Sequence, residues 1–137
     1  SRLDTIQAAI LLEKLKIFPN ELKLRDAIAH KYSDLLIEKC SIPFLEKGNS
    51  SSWAQYTLKL DNREYVQEQL RNCGIPTVIY YPIPLHRQIG YSSYPCVSSG
   101  VNTSEILSKK VLSLPMYPYL KTASTIANRV IEILDSK

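Results

Sequence analysis

Proline placement constrains this chain more than any other feature. A proline lacks a backbone N–H and its ring locks φ, so it interrupts helices and strand ladders alike. Apolar residues at Leu3, Ile6, Ala9, Ile10, Leu12 and Leu15 recur mostly three or four apart, the pattern of an amphipathic helix. Pro19 is expected to break or kink that helix. Asn20 is then placed to cap a second one, with Leu22, Leu24, Ala27, Ile28, Tyr32, Leu35 and Leu36 on its buried side. The two helices should brace one side of the molecule. Alternation predicts a strand over residues 53–60, then a helix from Asp61 and Asn62 to Asn72 that stops at Gly74. The β-branched and aromatic run of residues 75–81 predicts a second strand, which leaves into a loop stiffened by Pro82 and Pro84. Residues 87–104 look irregular and exposed, and Ser104 is placed to cap a helix through Leu112, with Glu105 early and Lys109 and Lys110 late as a helix dipole prefers. Pro115 and Pro118 hold residues 113–120 extended, and residues 122–134 close the chain as a helix with Ile126, Val130, Ile131 and Leu134 inward. Helices interleaved with a few short strands imply an α+β fold, with helices packed against a small sheet.

A length of 137 residues lies within the single-domain range, and 45% hydrophobic with 22% charged residues is the balance of a globular protein. The formal net charge is +4, but the basic residues are scattered from Arg2 to Lys137. That distribution describes a solvated mixed-charge surface, and no nucleic-acid partner is expected. Cys40, Cys73 and Cys96 are odd in number and far apart, which argues against a disulfide framework or a zinc site and points to a reducing cytoplasm. The longest apolar run, from Ala8 to Leu12, is too short to span a bilayer, so no membrane partner is expected. Ser1 stands directly before the helical pattern, as expected of a truncated or processed chain.

A phosphate-cradling glycine loop, a His-Glu-x-x-His metal motif and a Gly-x-Ser-x-Gly turn are absent from the sequence. The segment from Gly74 to His86 instead sets Tyr80, Tyr81 and His86 at a strand end beside a stiff turn, where polar groups are readily presented to a ligand. A tyrosine offers a flat apolar face and a hydroxyl, and a histidine donates or accepts near neutral pH. Ordinary core packing of Tyr80 or Tyr81 is the competing reading. Arg2 has the fork that matches phosphate oxygens, although an arginine near a chain end is usually just solvated. For Trp53 and Gln55 strand packing is the favoured reading. His30, midway along a helix, reads as a surface or packing residue rather than a ligand.

These residues also carry a resemblance. The run Ser1-Arg2-Leu3-Asp4-Thr5-Ile6-Gln7-Ala8-Ala9-Ile10-Leu11 resembles the Asn-x-Arg-x-x-x-x-Gln-Ala-Ala-x-Leu helix of DegT/StrS-type sugar aminotransferases. Trp53-Ala54-Gln55-Tyr56, the Gly74 to His86 segment and Leu112-Ser113-Leu114-Pro115-Met116 resemble that family's later landmarks, in the same order and across essentially the whole chain.

The resemblance implies the small C-terminal domain of a fold-type-I pyridoxal phosphate (PLP) transferase, with residues 1–39 as bridging helices and residues 40–137 as the α+β domain. It implies a homodimer that moves an amino group from glutamate to a nucleotide-linked keto-sugar in amino-sugar or polysaccharide biosynthesis. In such enzymes PLP forms a Schiff base with a lysine of a larger N-terminal domain and serves as the electron sink. That domain is absent from this sequence, so no catalytic residue is expected here; Lys14, Lys109 and Lys121 have no resembling context, and the chain alone is expected to be inactive. By position, Arg2 matches an arginine near the substrate diphosphate, Tyr80 and Tyr81 a pair near the sugar, and His86 the turn after that pair. The family's asparagine that reaches a neighbouring subunit's cofactor would fall one or two positions before Arg2, lost or replaced by Ser1. Where relatives carry histidine at position 80, this chain has a phenol. The alternative is a binding or dimerisation module, or a sensor, that keeps the fold without the lysine.

Overall fold

The computed structural model describes residues 2–136, so the expectation about Ser1 lies outside the described residues. Helix α1 runs unbroken over Thr5–Leu36 with Pro19 inside it. The expected break, and the second helix capped by Asn20, are therefore corrected to one helix of 32 residues, about 48 Å long at 1.5 Å per residue. An interior proline removes one helical hydrogen bond, but Pro19 and the residues of the turn before it are exposed, so water can take the freed carbonyl. The start is set by Asp4, whose carboxylate accepts the Ile6 N–H at 2.8 Å.

Only the second half of α1 enters the core, through Ile28, Ala29, Tyr32 and Leu36. The first half, with Leu3 just before it, leaves its apolar stripe in the open: Leu3 is 61% and Ile6 73% exposed, and Ile10, Leu12 and Leu15 are exposed as well. The brace expected from two helices is thus half brace and half bare arm.

The sheet has two antiparallel strands, β1 (Tyr56–Lys59) and β2 (Val111–Leu114), with Tyr56 opposite Leu114 and Leu58 opposite Leu112. Strand β1 is shorter than the alternation suggests because Trp53 adopts φ 46° and turns away from the ladder, donating its Nε1–H to Asp26 at 2.9 Å. Between the strands lie α2 (Arg63–Asn72) and α3 (Asn102–Lys110), and α4 (Ala123–Asp135) comes after β2. Helix α2 ends as its sequence implies, with Gly74 at φ +71°, a conformation side chains resist. Helix α3 begins at Asn102 without a side-chain cap and stops at Lys110, so Ser104 is not its cap. The expected continuation to Leu112 gives way because Val111 turns extended and its neighbours pair with β1. Helix α4 packs chiefly on α1 and next on α2, burying Ala123, Ile126, Ala127, Val130 and Ile133. Ile131 and Leu134, expected to face inward, are only half-buried.

Among the cysteines, Cys40 is half-buried, and burial pushes its thiol up to about 11, whereas Cys73 and Cys96 are exposed. A thiol reagent near neutral pH is expected to label Cys73 and Cys96 at least about tenfold faster than Cys40. Mass spectrometry of timed digests reads the order, and equal rates would mean that the Cys40 side of the core opens easily.

A candidate ligand cleft between the proline strap and helix α3

Residues 75–81 do not form the predicted second strand. They run extended beside β2 and join it only at Val78, whose N–H donates to the Ser113 carbonyl at 3.2 Å while the Ser113 N–H donates to the Val78 carbonyl at 2.8 Å. The Thr57 and Ser113 hydroxyls, 2.8 Å apart, tie that point to β1. One bridge suffices to aim the next three residues. Ile79 packs against the core, and Tyr80 and Tyr81, joined by a cis peptide bond, emerge edge to face with ring centroids 5.7 Å apart.

Pro82 and Pro84 then lead into two short 3-10 turns, Leu85–Arg87 and Ile89–Tyr91. The resulting strap faces α3 across a cleft of about 1090 Å³. Its lining includes Tyr80, Tyr81 and His86, with Tyr91 and Tyr94 from the strap and Ser104, Leu107 and Ser108 from α3. Four of the chain's nine tyrosines meet in this one place. Tyr80 is 41% and Tyr81 69% exposed, which decides against core packing for both.

The strap is fastened by a single carboxylate. Oε1 of Glu105, in the first turn of α3, lies 2.9 Å from His86 Nε2, 2.9 Å from Arg87 Nε and 2.8 Å from Arg87 Nη2. The hydrogen bonds from His86 and then Arg87 hold the Glu105 carboxyl below its ordinary value of 4.5. A carboxyl lowered on folding contributes stability above its ordinary value and loses it as pH falls through the lowered one. The protection of the amides of residues 83–101, after correction for the intrinsic pH dependence of exchange, is therefore expected to fall below about pH 4.5. A strap equally protected at about pH 3 and pH 6 would show that Glu105 does not fasten it.

Arg2 is exposed and absent from the lining, so the structure gathers Tyr80, Tyr81 and His86 but leaves Arg2 apart. Sequence reasoning missed Tyr91, Tyr94, Arg87 and the role of Glu105. The signal for Tyr91 and Tyr94 was their spacing of three, which a tight turn converts into neighbours with centroids 6.0 Å apart. His30 is exposed and 3.5 Å from Asp26, as a surface histidine.

The architecture matches one lobe of solved aminotransferases. A solved DegT DnrJ EryC1 StrS aminotransferase from Brucella abortus superposes with a TM-score of 0.90 at 45% identity, covering 98% of this chain and 36% of that one. The chain belongs to the DegT/DnrJ/EryC1/StrS aminotransferase family, whose pattern it matches over residues 1–135. It is 47% identical over 129 residues to a UDP-2-acetamido-2-deoxy-3-oxo-D-glucuronate aminotransferase from Pseudomonas aeruginosa, covering 90% of this chain and 34% of that protein. A Bacillus subtilis structure, NtdA with bound cofactor PMP, has a TM-score of 0.80 at 27% identity, covering 98% of this chain and 32% of that one. The chain thus spans about a third of the length of these relatives.

PLP, the cofactor this family implies, does not fit the cleft as this chain builds it. Among the described residues the lining holds no lysine for a Schiff base and no arginine for a phosphate. Lys14, Lys16, Lys39 and Lys110 are engaged elsewhere with Glu21, Glu13, Asp135 and Asp61.

Proposed function

We propose that the whole protein is a PLP-dependent aminotransferase that moves an amino group from glutamate to a nucleotide-linked keto-sugar, and that this chain is its substrate-facing C-terminal lobe. The observation that carries the reading is the tyrosine-lined cleft, free of lysine, on a lobe of this family. Aromatic faces suit a sugar ring, and hydroxyl and imidazole groups suit its polar edge. Tyr80, Tyr81 and His86 are assigned to the sugar, and Arg2 to the diphosphate, with its fork available at the exposed start of α1. The substrate named for the Pseudomonas relative makes a UDP-linked 3-keto sugar the first candidate. PLP is held by the protein outside this chain.

The bare arm of α1 supports the same reading, because isolated proteins rarely expose a contiguous apolar stripe of this kind. On this reading residues 1–39 bridge to the larger domain, and the working form is a cytoplasmic homodimer in amino-sugar or polysaccharide biosynthesis. The missing ammonium in the cleft equally suits a second reading, a binding or dimerisation module or a sensor built on the same fold.

The test is borohydride trapping. Incubated with stoichiometric PLP and reduced, the 137-residue chain is expected to show no single preferred lysine adduct, while a product extended toward the N-terminus to the relatives' length shows one, on a lysine outside these residues. An adduct on a single lysine of this chain would overturn the division of labour. A natural product of only this length would favour the module.

A further inference from the structure

We propose that Glu105 is a positioning residue: by accepting the Nε2 proton of His86, it fixes the imidazole in the tautomer whose Nδ1 accepts a hydrogen bond from a hydroxyl or N–H of a ligand in the cleft. The tautomer is set by the contacts alone, and the ligand half rests on the nucleotide-sugar reading above.

Glu105 does not line the cleft. It borders a separate depression of about 360 Å³ with Asn102, Ile106, Lys109 and Lys110, so it reaches cleft contents through His86 directly and otherwise only through the strap it ties to α3. Its Oε1 takes Nε and Nη2 of Arg87 as well as Nε2 of His86. A guanidinium on that oxygen favours the ionised carboxylate, and an ionised carboxylate has lone pairs but no proton to give. The proton shared with His86 must therefore sit on Nε2. In a neutral ring that leaves Nδ1 as an acceptor, and Nδ1 has no hydrogen-bond partner among the described residues. The His86 side chain is 17% exposed and Nδ1 is not among the fully buried unpartnered polar atoms, so this acceptor is reachable from the cleft it lines with Tyr80 and Tyr81. An acceptor without a proton selects by complementarity. It rewards a sugar hydroxyl or an acetamido N–H, and it penalises a carboxylate or phosphate oxygen, which brings another lone pair. The position would thus read the hydroxyl-bearing part of a nucleotide sugar and leave anionic groups to be met elsewhere.

The experiment uses the 15N-labelled 137-residue chain, in which His30 and His86 are the only histidines to assign. Long-range imidazole correlations, recorded where the ring is neutral, are expected to show Nε2–H in the parent and in Arg87→Ala, and a tautomer mixture in Glu105→Ala. An Nδ1–H ring in the parent, or an unchanged pattern in Glu105→Ala, would overturn the proposal. UDP-N-acetylglucosamine is then titrated in. The Nδ1 resonance is expected to move, and Glu105→Ala to weaken binding about tenfold, as for loss of one buried hydrogen bond; binding of UDP alone is expected to be unaffected. If the Tyr80 and Tyr81 rings respond while Nδ1 does not, the acceptor role fails and the nucleotide-sugar reading stands. If neither responds, that reading fails, and the ligand half of this inference with it.

Discussion

Tyr32→Ala is expected to destabilise the chain by about 3–5 kcal/mol, the range for losing a buried aromatic side chain. Tyr32 is fully buried in α1, with its ring centroid 5.0 Å from that of Tyr56 in β1. Its hydroxyl donates to the Pro115 carbonyl at 3.0 Å, just beyond β2. Burial pushes the phenol well above its usual range, so it keeps its proton and remains a donor throughout the working pH range. One side chain thus fastens the helix to both edges of the sheet. Domains of this size are typically stable by only about 5–15 kcal/mol, so the loss is a large share of the whole. Tyr32→Phe keeps the ring and strands only the Pro115 carbonyl, at about 1–2 kcal/mol. Urea midpoints of the two variants separate ring from hydroxyl. If alanine cost no more than phenylalanine, the attachment of α1 would have to reside in Ile28, Ala29 and Leu36 instead.

This attachment shows where sequence reasoning succeeded and where physics hidden from it took over. The period of α1 placed Ile28, Tyr32 and Leu36 on one face, and those residues are buried. The same period implied a buried face of Leu3, Ile6 and Ile10, yet they are exposed. Periodicity reports that a face is apolar and says nothing of what covers it. Pro19 misled in the opposite way: a proline disfavours a helix locally, but the penalty of about 3 kcal/mol is tolerable where the backbone is solvated and the helix is anchored further on. At the cleft, the stiff turn after Tyr81 and the presence of His86 were legible, because proline and strand-end chemistry are local. The Glu105 contacts span eighteen or nineteen positions across irregular chain, and no local pattern encodes them. A helix-dipole role for Glu105, expected from its sequence position, suits its place in the first turn of α3 but misses the histidine it orients.

Tyr81→Ala is expected to invert the Tyr32 result, leaving stability within about 0.5 kcal/mol while lowering affinity for a nucleotide sugar about tenfold to a hundredfold. The ring is 69% exposed and meets that of Tyr80 edge to face, so folding gains little from it. An exposed aromatic held beside prolines, in a cleft that three other tyrosines line, is already organised for a ligand before one arrives, and that lowers the ordering cost of binding. Tyr81→Phe separates the two contributions of the phenol. If the face is what matters, phenylalanine retains most of the affinity; if the hydroxyl contacts the sugar or a phosphate, phenylalanine resembles alanine. Calorimetric titration of UDP-N-acetylglucosamine into the parent and both variants, alongside their melting curves, reads binding and stability together. Unchanged affinity in Tyr81→Ala would remove Tyr81 from the site. A large fall in melting temperature would show that the ring serves the fold, and would return Tyr81 to the packing role the sequence left open.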